Sequence, residues 1–142
     1  MSVGRICQRD VFFAEPHENV LTAAQRMCER NVGTLVVLNN ARKPLGVLTD
    51  RDVLAKVVAE NKSPGATKVV DVMTADPRTV SEETPIEEAL ARMRAGGFRR
   101  LPVVDIDGGL VGLVSLDDIL GLLAEEFTEV GQLLQKQAPR SF

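Results

Sequence analysis

Two short stretches carry the residue types that could do chemistry, and they match. Thr49-Asp50-Arg51-Asp52 closes an apolar run that begins at Gly46, and Ser115-Leu116-Asp117-Asp118 closes another that begins at Gly112, 66 residues further on. In each, a hydroxyl residue is followed three positions later by an aspartate, where a strand pattern gives way to a helix pattern. Such a junction can hold a polar ligand, because free amide hydrogens at the start of a helix favour phosphate and a first-turn carboxylate offers acceptors. It can equally be a cap, with Thr49 and Ser115 closing the helix start and Asp52 and Asp118 as favourable first-turn residues. Arg51, Arg99 and Arg100 are able to give forked, charge-assisted contacts to phosphate oxygens, with plain solvation as the alternative. The first copy has Gly33-Thr34 where the second has Arg99-Arg100, so two sites built this way need not bind phosphate equally.

Catalytic chemistry finds less support. His17 is the lone histidine and has no cysteine or serine beside it that would suggest a nucleophile pair. Cys7 and Cys28 lack metal-ligand spacing, and the many carboxylates include no pair that the sequence nominates as acid and base. No enzyme is expected, and no metal as a structural requirement. Gly108-Gly109 fits neither the Walker nor the dinucleotide-binding spacing and reads as a hairpin turn.

The elements that position these residues are themselves repeated. A shift of 66 positions, without a gap, aligns Asp10 with Asp76, Ala23 with Ala89, Arg26 with Arg92, Met27 with Met93, Leu35 with Leu101, Val37 with Val103 and Leu54 with Leu120. This is an internal duplication. Each copy opens with a leading segment, Val3 to Asp10 and Val69 to Asp76, that runs into a brief strand, Val11 to Ala14 and Arg78 to Val80. An amphipathic helix follows, with Val20, Ala23, Ala24 and Met27 on one face in the first copy and Ile86, Ala89, Leu90 and Met93 in the second. Ser81 or Thr84 is expected to cap the second of these helices, with Pro85 at its first position, and Gly96-Gly97 to end it, while Asn31 and Gly33 are available to end the first. Two strands come next in each half, Leu35 to Leu38 then Leu45 to Thr49, and Leu101 to Val104 then Leu110 to Ser115. The closing helices carry Val53, Leu54, Val57 and Val58 in the first copy and a longer stripe, Ile119, Leu120, Leu123, Phe127, Val130 and Leu134, in the second. Residues from about Gln135 read as a frayed tail.

Composition narrows the class. The chain has 142 residues, 44% of them hydrophobic, and its net charge of −3 comes from interspersed acidic and basic residues. Binding of nucleic acid through a basic surface is therefore not expected. No apolar run approaches the ~20 residues of a membrane helix, two cysteines are too few for a disulfide framework, and the N-terminus has no long apolar run of a signal peptide. A cytoplasmic protein without a membrane span is expected.

Two tandem β-α-β-β-α units that each end in glycine, apolar residues, Thr or Ser, two residues and Asp resemble a pair of cystathionine-β-synthase (CBS) domains, the arrangement called a Bateman module. The Leu101-Pro102-Val103-Val104-Asp105 strand, the Asp71-Val72-Met73-Thr74 lead and the Thr49-Asp50-Arg51-Asp52 junction are all similar to that family. The resemblance implies an α/β (α+β) fold with the two units packed sheet to sheet about a pseudo-twofold axis. It implies unit 1 at 1–62, a linker and leading segment at 63–71, unit 2 at 72–130 and a helix end and tail at 131–142. It also implies two clefts that bind adenosine-containing ligands such as AMP, ADP, ATP, NAD or S-adenosylmethionine. By the same resemblance Asp52 and Asp118 would meet ribose hydroxyls, and Thr49 and Ser115 the ribose or its phosphate. Phe13, Ala14, Thr79 and Val80 would line adenine with backbone groups, and Arg100 would meet phosphate. A stand-alone regulatory module, a homodimer acting on a separate effector protein, is the expectation. A structural or interaction dimer that has lost its ligand is the alternative.

Overall fold

A computed structural model describes residues 1–137 of the chain. The duplicated pattern becomes two units with the same succession of elements. After a 3-10 turn at Val3–Arg5 the first contains β1 (Phe13–Ala14), α1 (Val20–Arg30), β2 (Thr34–Leu38), β3 (Pro44–Thr49) and α2 (Asp50–Val53), which continues as a π-helix over Leu54–Val58. A 3-10 turn at Pro64–Ala66 leads to α3 (Val69–Val72), β4 (Thr74–Ala75), β5 (Val80–Ser81), α4 (Ile86–Gly96), β6 (Arg100–Val104), β7 (Leu110–Ser115) and α5 (Leu116–Gln137).

Local chemistry accounts for most of these limits. Asn19 caps α1 by accepting the Thr22 amide at 2.8 Å, and Asn31, at φ 54°, ends the helix in the left-handed conformation that asparagine tolerates. Gly97 does the same for α4 at φ 69°. The expected cap of α4 by Ser81 or Thr84 is not formed. Pro85 occupies the cap position instead of the first helical one, and the Thr84 hydroxyl accepts the Ser81 amide at 3.0 Å, closing the turn ahead of the helix. The brief strands are shorter than expected, and the second starts two residues later and ends one residue later.

Each unit has its own core. Ala14, Val20, Ala23, Met27, Leu35, Val37 and Leu48 pack in the first, and Val80, Ile86, Ala89, Met93, Leu101, Val103 and Val114 in the second. The buried residues fall three and four apart on α1 and α4 and two apart on β2 and β6, so one helix covers one face of each sheet. The other face is covered as well, since Val36 is fully buried outside the first core.

The leading segments do not stay with the units they precede. Val69 and Val72 of α3 complete the first core, and Val3 completes the second with Ile6 and Cys7 against it. Two matching sets of hydrogen bonds fix this exchange. The Val3 and Gly4 amides donate to the Thr84 and Glu82 carbonyls, each at 2.9 Å, and the Ile86 amide donates to Met1. In the other half Val69 and Val70 donate to Glu18 and Pro16, at 2.9 and 3.0 Å, and Val20 donates to Thr67. Each segment then joins the edge of the sheet it has crossed to. β4 pairs with β3 through Gly46↔Ala75 and Val47↔Thr74, giving the order β1-β2-β3-β4, and Gln8 bridges Leu113 beside the β5-β6-β7 sheet. An ion pair between Arg9 and Glu82 adds to the second contact.

The closing helices leave much of their apolar surface uncovered. Val57 is buried while Leu54 and Val58 are exposed on the π-helix, and Leu120, the counterpart of Leu54 on the regular helix α5, is exposed as well. On α5 Ile119 is buried while Leu120, Leu123, Phe127, Val130 and Leu134 are exposed. The helix reaches Gln137, so the tail expected from about Gln135 is helical for its first three residues and otherwise lies outside the described residues.

Glycine is required where each exchanged segment crosses. A Cβ at Gly46 would stand 2.6 Å from the Thr74 carbonyl oxygen, and one at Gly112 would stand 2.9 Å from both Cys7 Sγ and the Gln8 carbonyl oxygen. Gly46→Ala and Gly112→Ala are each expected to lose about 1–3 kcal/mol through overpacking, read as a lower urea midpoint. Gly121→Ala on α5, where a Cβ meets nothing within 4 Å, is expected to gain about 0.5–1 kcal/mol from helix propensity. Equal effects at the three positions would remove the close approach as the reason for Gly46 and Gly112.

Candidate ligand clefts

At the two strand-to-helix junctions the capping arrangement is realised in full. Thr49 Oγ1 accepts the Asp52 amide at 3.1 Å while Asp52 Oδ2 accepts the Thr49 amide at 3.0 Å, a reciprocal capping box. Ser115 and Asp118 repeat it, with 3.0 Å from the Asp118 amide to Ser115 Oγ and 2.8 Å from the Ser115 amide to Asp118 Oδ2. The outer carboxylate oxygens also have partners. Lys56 Nζ sits 3.2 Å from Asp52 Oδ1 and donates to the Val72 carbonyl at 3.0 Å, and Gln8 Nε2 donates to Asp118 Oδ1 at 3.1 Å. Both contacts tie a junction to an exchanged segment, since Val72 belongs to α3 and Gln8 to the first lead.

Two clefts open beside the junctions, each walled by both units. The first, about 310 Å³, runs from Thr49, Asp50 and Arg51 across Thr74, Pro77 and Arg78 to the stretch Gly97–Pro102. The second, about 280 Å³, is bounded by Gln8, Asp10, Val11 and Phe12, by Asn31–Thr34, and by Arg100 and Leu113. They correspond under the 66-residue shift: Pro77-Arg78 stands where Val11-Phe12 stands, and Gly97–Arg100 where Asn31–Thr34 stands. The first lies at the lower end of the range of ligand pockets, about 300–1,000 Å³, and the second just below it. Larger depressions of about 460 and 430 Å³ lie against α1, but each is lined by the first unit alone, and one of them contains the Arg26–Glu18 ion pair.

Of the residues singled out in the sequence, Thr49, Arg51, Arg99 and Arg100 line the first cleft, and Thr34 and Arg100 line the second. Asp52, Ser115 and Asp118 stand behind the walls in their capping boxes. Phe13, Ala14, Thr79 and Val80 are placed elsewhere. Ala14 and Val80 are core residues, and the Phe13 and Thr79 carbonyls accept Arg26 and Arg92 at 2.9 and 2.7 Å, so those backbone groups already have partners. The walls are formed one to two positions earlier, by Val11-Phe12 and Pro77-Arg78. Arg78 was not singled out by the sequence reading, although its register opposite Phe12 in the duplication marks it as a place where the copies differ.

Thr34 Oγ1 is buried and has no hydrogen-bond partner, a state that costs about 1–3 kcal/mol for a neutral polar group. Cys7 is less promising chemically: burial pushes its thiol above the ordinary value, with Arg9 pulling it down, so the protonated, non-nucleophilic form is favoured. Among the described residues no group of three or more His, Cys, Asp or Glu is arranged to hold a metal ion, and no helix is long and apolar enough to cross a membrane.

Comparison with known proteins agrees with this architecture. The sequence model of the CBS domain matches residues 3–59 and 69–125. An uncharacterized protein of Methanopyrus kandleri is 38% identical over 120 residues, a match that takes in 84% of this chain and 61% of that protein's length. A protein with CBS domains from Burkholderia ambifaria MC40-6 superimposes with a TM-score of 0.76 at 28% identity over the whole of both chains. A CBS domain pair crystallised with 5′-methylthioadenosine and S-adenosyl-L-methionine superimposes with a TM-score of 0.77 at 27% identity, over 87% of this chain and 99% of that one.

The boxes can be tested without a ligand. Ser115→Ala and Thr49→Ala each remove one hydroxyl acceptor from a helix start and are expected to lower stability by about 1 kcal/mol, seen in urea unfolding with an unchanged slope. A loss below a few tenths at both positions would assign the hydroxyls no capping role.

Proposed function

The chain belongs to the CBS-domain family, and from that premise we propose that it is a regulatory module that binds adenosine-containing ligands, AMP, ADP, ATP or NAD among them, and passes their occupancy to an effector protein. The observation that carries this reading is that each cleft is walled by both units. A ligand in the first cleft touches the Thr49–Arg51 junction and residues Thr74, Pro77 and Arg78 of the other copy. One in the second touches Gln8 and Asp10 of the first lead together with Arg100 and Leu113 of the second unit. Either can shift the balance between two arrangements of the units by its difference in affinity for them.

The ribose assignment to Asp52 and Asp118 takes a particular form here. A ribose hydroxyl that claims Asp118 Oδ1 competes with Gln8, and one that claims Asp52 Oδ1 competes with Lys56. Binding would thereby loosen or re-seat the exchanged segments, a physical route from cleft to unit interface. That a structural neighbour was crystallised with 5′-methylthioadenosine and S-adenosyl-L-methionine supports the adenosine class. The second reading, an interaction module that binds no ligand, is favoured by one observation: every carboxylate oxygen of Asp52 and Asp118 already has a partner. Catalysis forms no part of either.

We further propose a homodimer. Leu120, Leu123, Phe127, Val130 and Leu134 leave one side of α5 apolar and exposed, and a twofold contact with a second copy buries such a stripe. Phe127→Glu is expected to yield a monomer in sedimentation velocity; a wild-type chain that sediments as a monomer at tens of micromolar would sink the dimer.

Isothermal titration with AMP, ADP, ATP, NAD and S-adenosylmethionine, with mass spectrometry of ligand released from freshly purified protein, tests the binding itself. At least one of these ligands is expected to give heat and a raised melting temperature, and Asp52→Ala and Asp118→Ala are each expected to weaken binding by about 1–3 kcal/mol. No heat and no thermal shift with any of them would leave the ligand-free reading standing.

A further inference from the structure

The two clefts share a plan but differ in charge. Arg51, Arg78, Arg99 and Arg100 line the first, against the single carboxylate of Asp50, and among the described residues none of the four arginines makes an ion pair. Four like-charged residues on the wall of a space of about 310 Å³ give it a positive potential, and an anion that carries several charges is attracted there and can accept forked hydrogen bonds. The second cleft holds nothing comparable. At the matching positions it has Phe12, Gly33 and Thr34, its carboxylate is Asp10, and its sole guanidinium, Arg100, is the one that also lines the first.

Thr34 points independently in the same direction. Its hydroxyl is buried and unpartnered in a strand whose neighbours Leu35, Val36 and Val37 are apolar, where valine would fill the same volume at no polar cost. A neutral hydroxyl suits a hydrogen-bonding group of an uncharged ligand, and the nearby Asp10 carboxylate opposes a phosphate. We infer that the clefts divide the ligands by charge: the first is the site of a nucleoside di- or triphosphate, and the second takes a nucleoside without phosphate, held in part by Thr34 Oγ1. Arg100 sharpens the division. A phosphate chain in the first cleft draws this guanidinium toward it and leaves Asp10 without a counter-charge in the second.

The inference rests on the reading that these clefts bind adenosine-containing ligands, and the experiment separates the two. The probes are ATP and adenosine, titrated calorimetrically into the full chain. ATP is expected to bind once per chain, with affinity that falls as salt rises, and adenosine is expected to bind protein already saturated with ATP. Arg78→Gln with Arg99→Gln, both exposed, should weaken ATP roughly tenfold or more and adenosine far less. Thr34→Val should weaken adenosine more than ATP and raise the melting temperature of the ligand-free chain, a readout that also reports that the variant folds. Two equal ATP sites per chain, ATP affinity untouched in the double arginine variant, or adenosine affinity untouched in Thr34→Val would each overturn the division while leaving adenosine binding intact. A wild-type chain that binds neither probe would overturn the division, and one that also gives no heat with AMP, ADP, NAD or S-adenosylmethionine would overturn the underlying reading with it.

Discussion

The exchange of leading segments is the constraint on which the rest of the structure depends. Val3 is fully buried in the second unit's core and Val69 in the first, and the two residues are 66 positions apart, one repeat length. Burying a valine side chain is worth about 1.5–3 kcal/mol, and around each valine the same three backbone hydrogen bonds recur. Neither unit closes its core with the residues of its own copy alone. A chain built this way gains from the duplication only when both halves are folded, which makes the pair, and not the single repeat, the cooperative unit.

The clefts are a by-product of this exchange. Once a leading segment has crossed to the other sheet, it must return to start its own unit's first strand, and Asp10 to Phe12 and Pro77 to Arg78 are the return paths. The crossing residues just before them, Cys7-Gln8 and Met73-Thr74, run past the opposite unit's strand edge over a glycine that leaves room for them, and the return paths form one wall of each cleft. The junction caps are fastened to the same segments through Gln8 and Lys56. A group that alters the cap, the cleft or the crossing thus acts on all three, since they share atoms within a few ångströms.

Much of this was legible in the sequence because repeats are read by register. The 66-residue shift located both helices, all four long strands and both junctions, and the hydroxyl-to-aspartate spacing suited the boxes that form. Crossing was not legible. Val3 and Val69 present the same apolar pattern whether they pack on their own unit or on its twin, and a pattern that repeats cannot tell the two apart. The contacts of Arg26 and Arg92, matched residues of the two copies, with the Phe13 and Thr79 carbonyls were not legible either, because apolar periodicity does not report where a long polar side chain reaches. The π-helix at Leu54–Val58 was not legible, since apolar spacing alone does not distinguish it from an α-helix.

What differs between the copies then carries more information about the ligand than what they share. Capping boxes, crossings and glycines are held in common, and all are accounted for by folding the pair. Position 34 against 100 and position 12 against 78 are not: threonine faces arginine and phenylalanine faces arginine at places that the fold treats as equivalent. Folding requires neither an exposed cluster of arginines without ion pairs nor a buried hydroxyl without a partner, and the buried hydroxyl lowers the stability of the empty chain. Under the proposed division of the clefts an occupant offsets that local cost, so the departures from symmetry, more than the symmetric motif, are the positions on which that proposal turns.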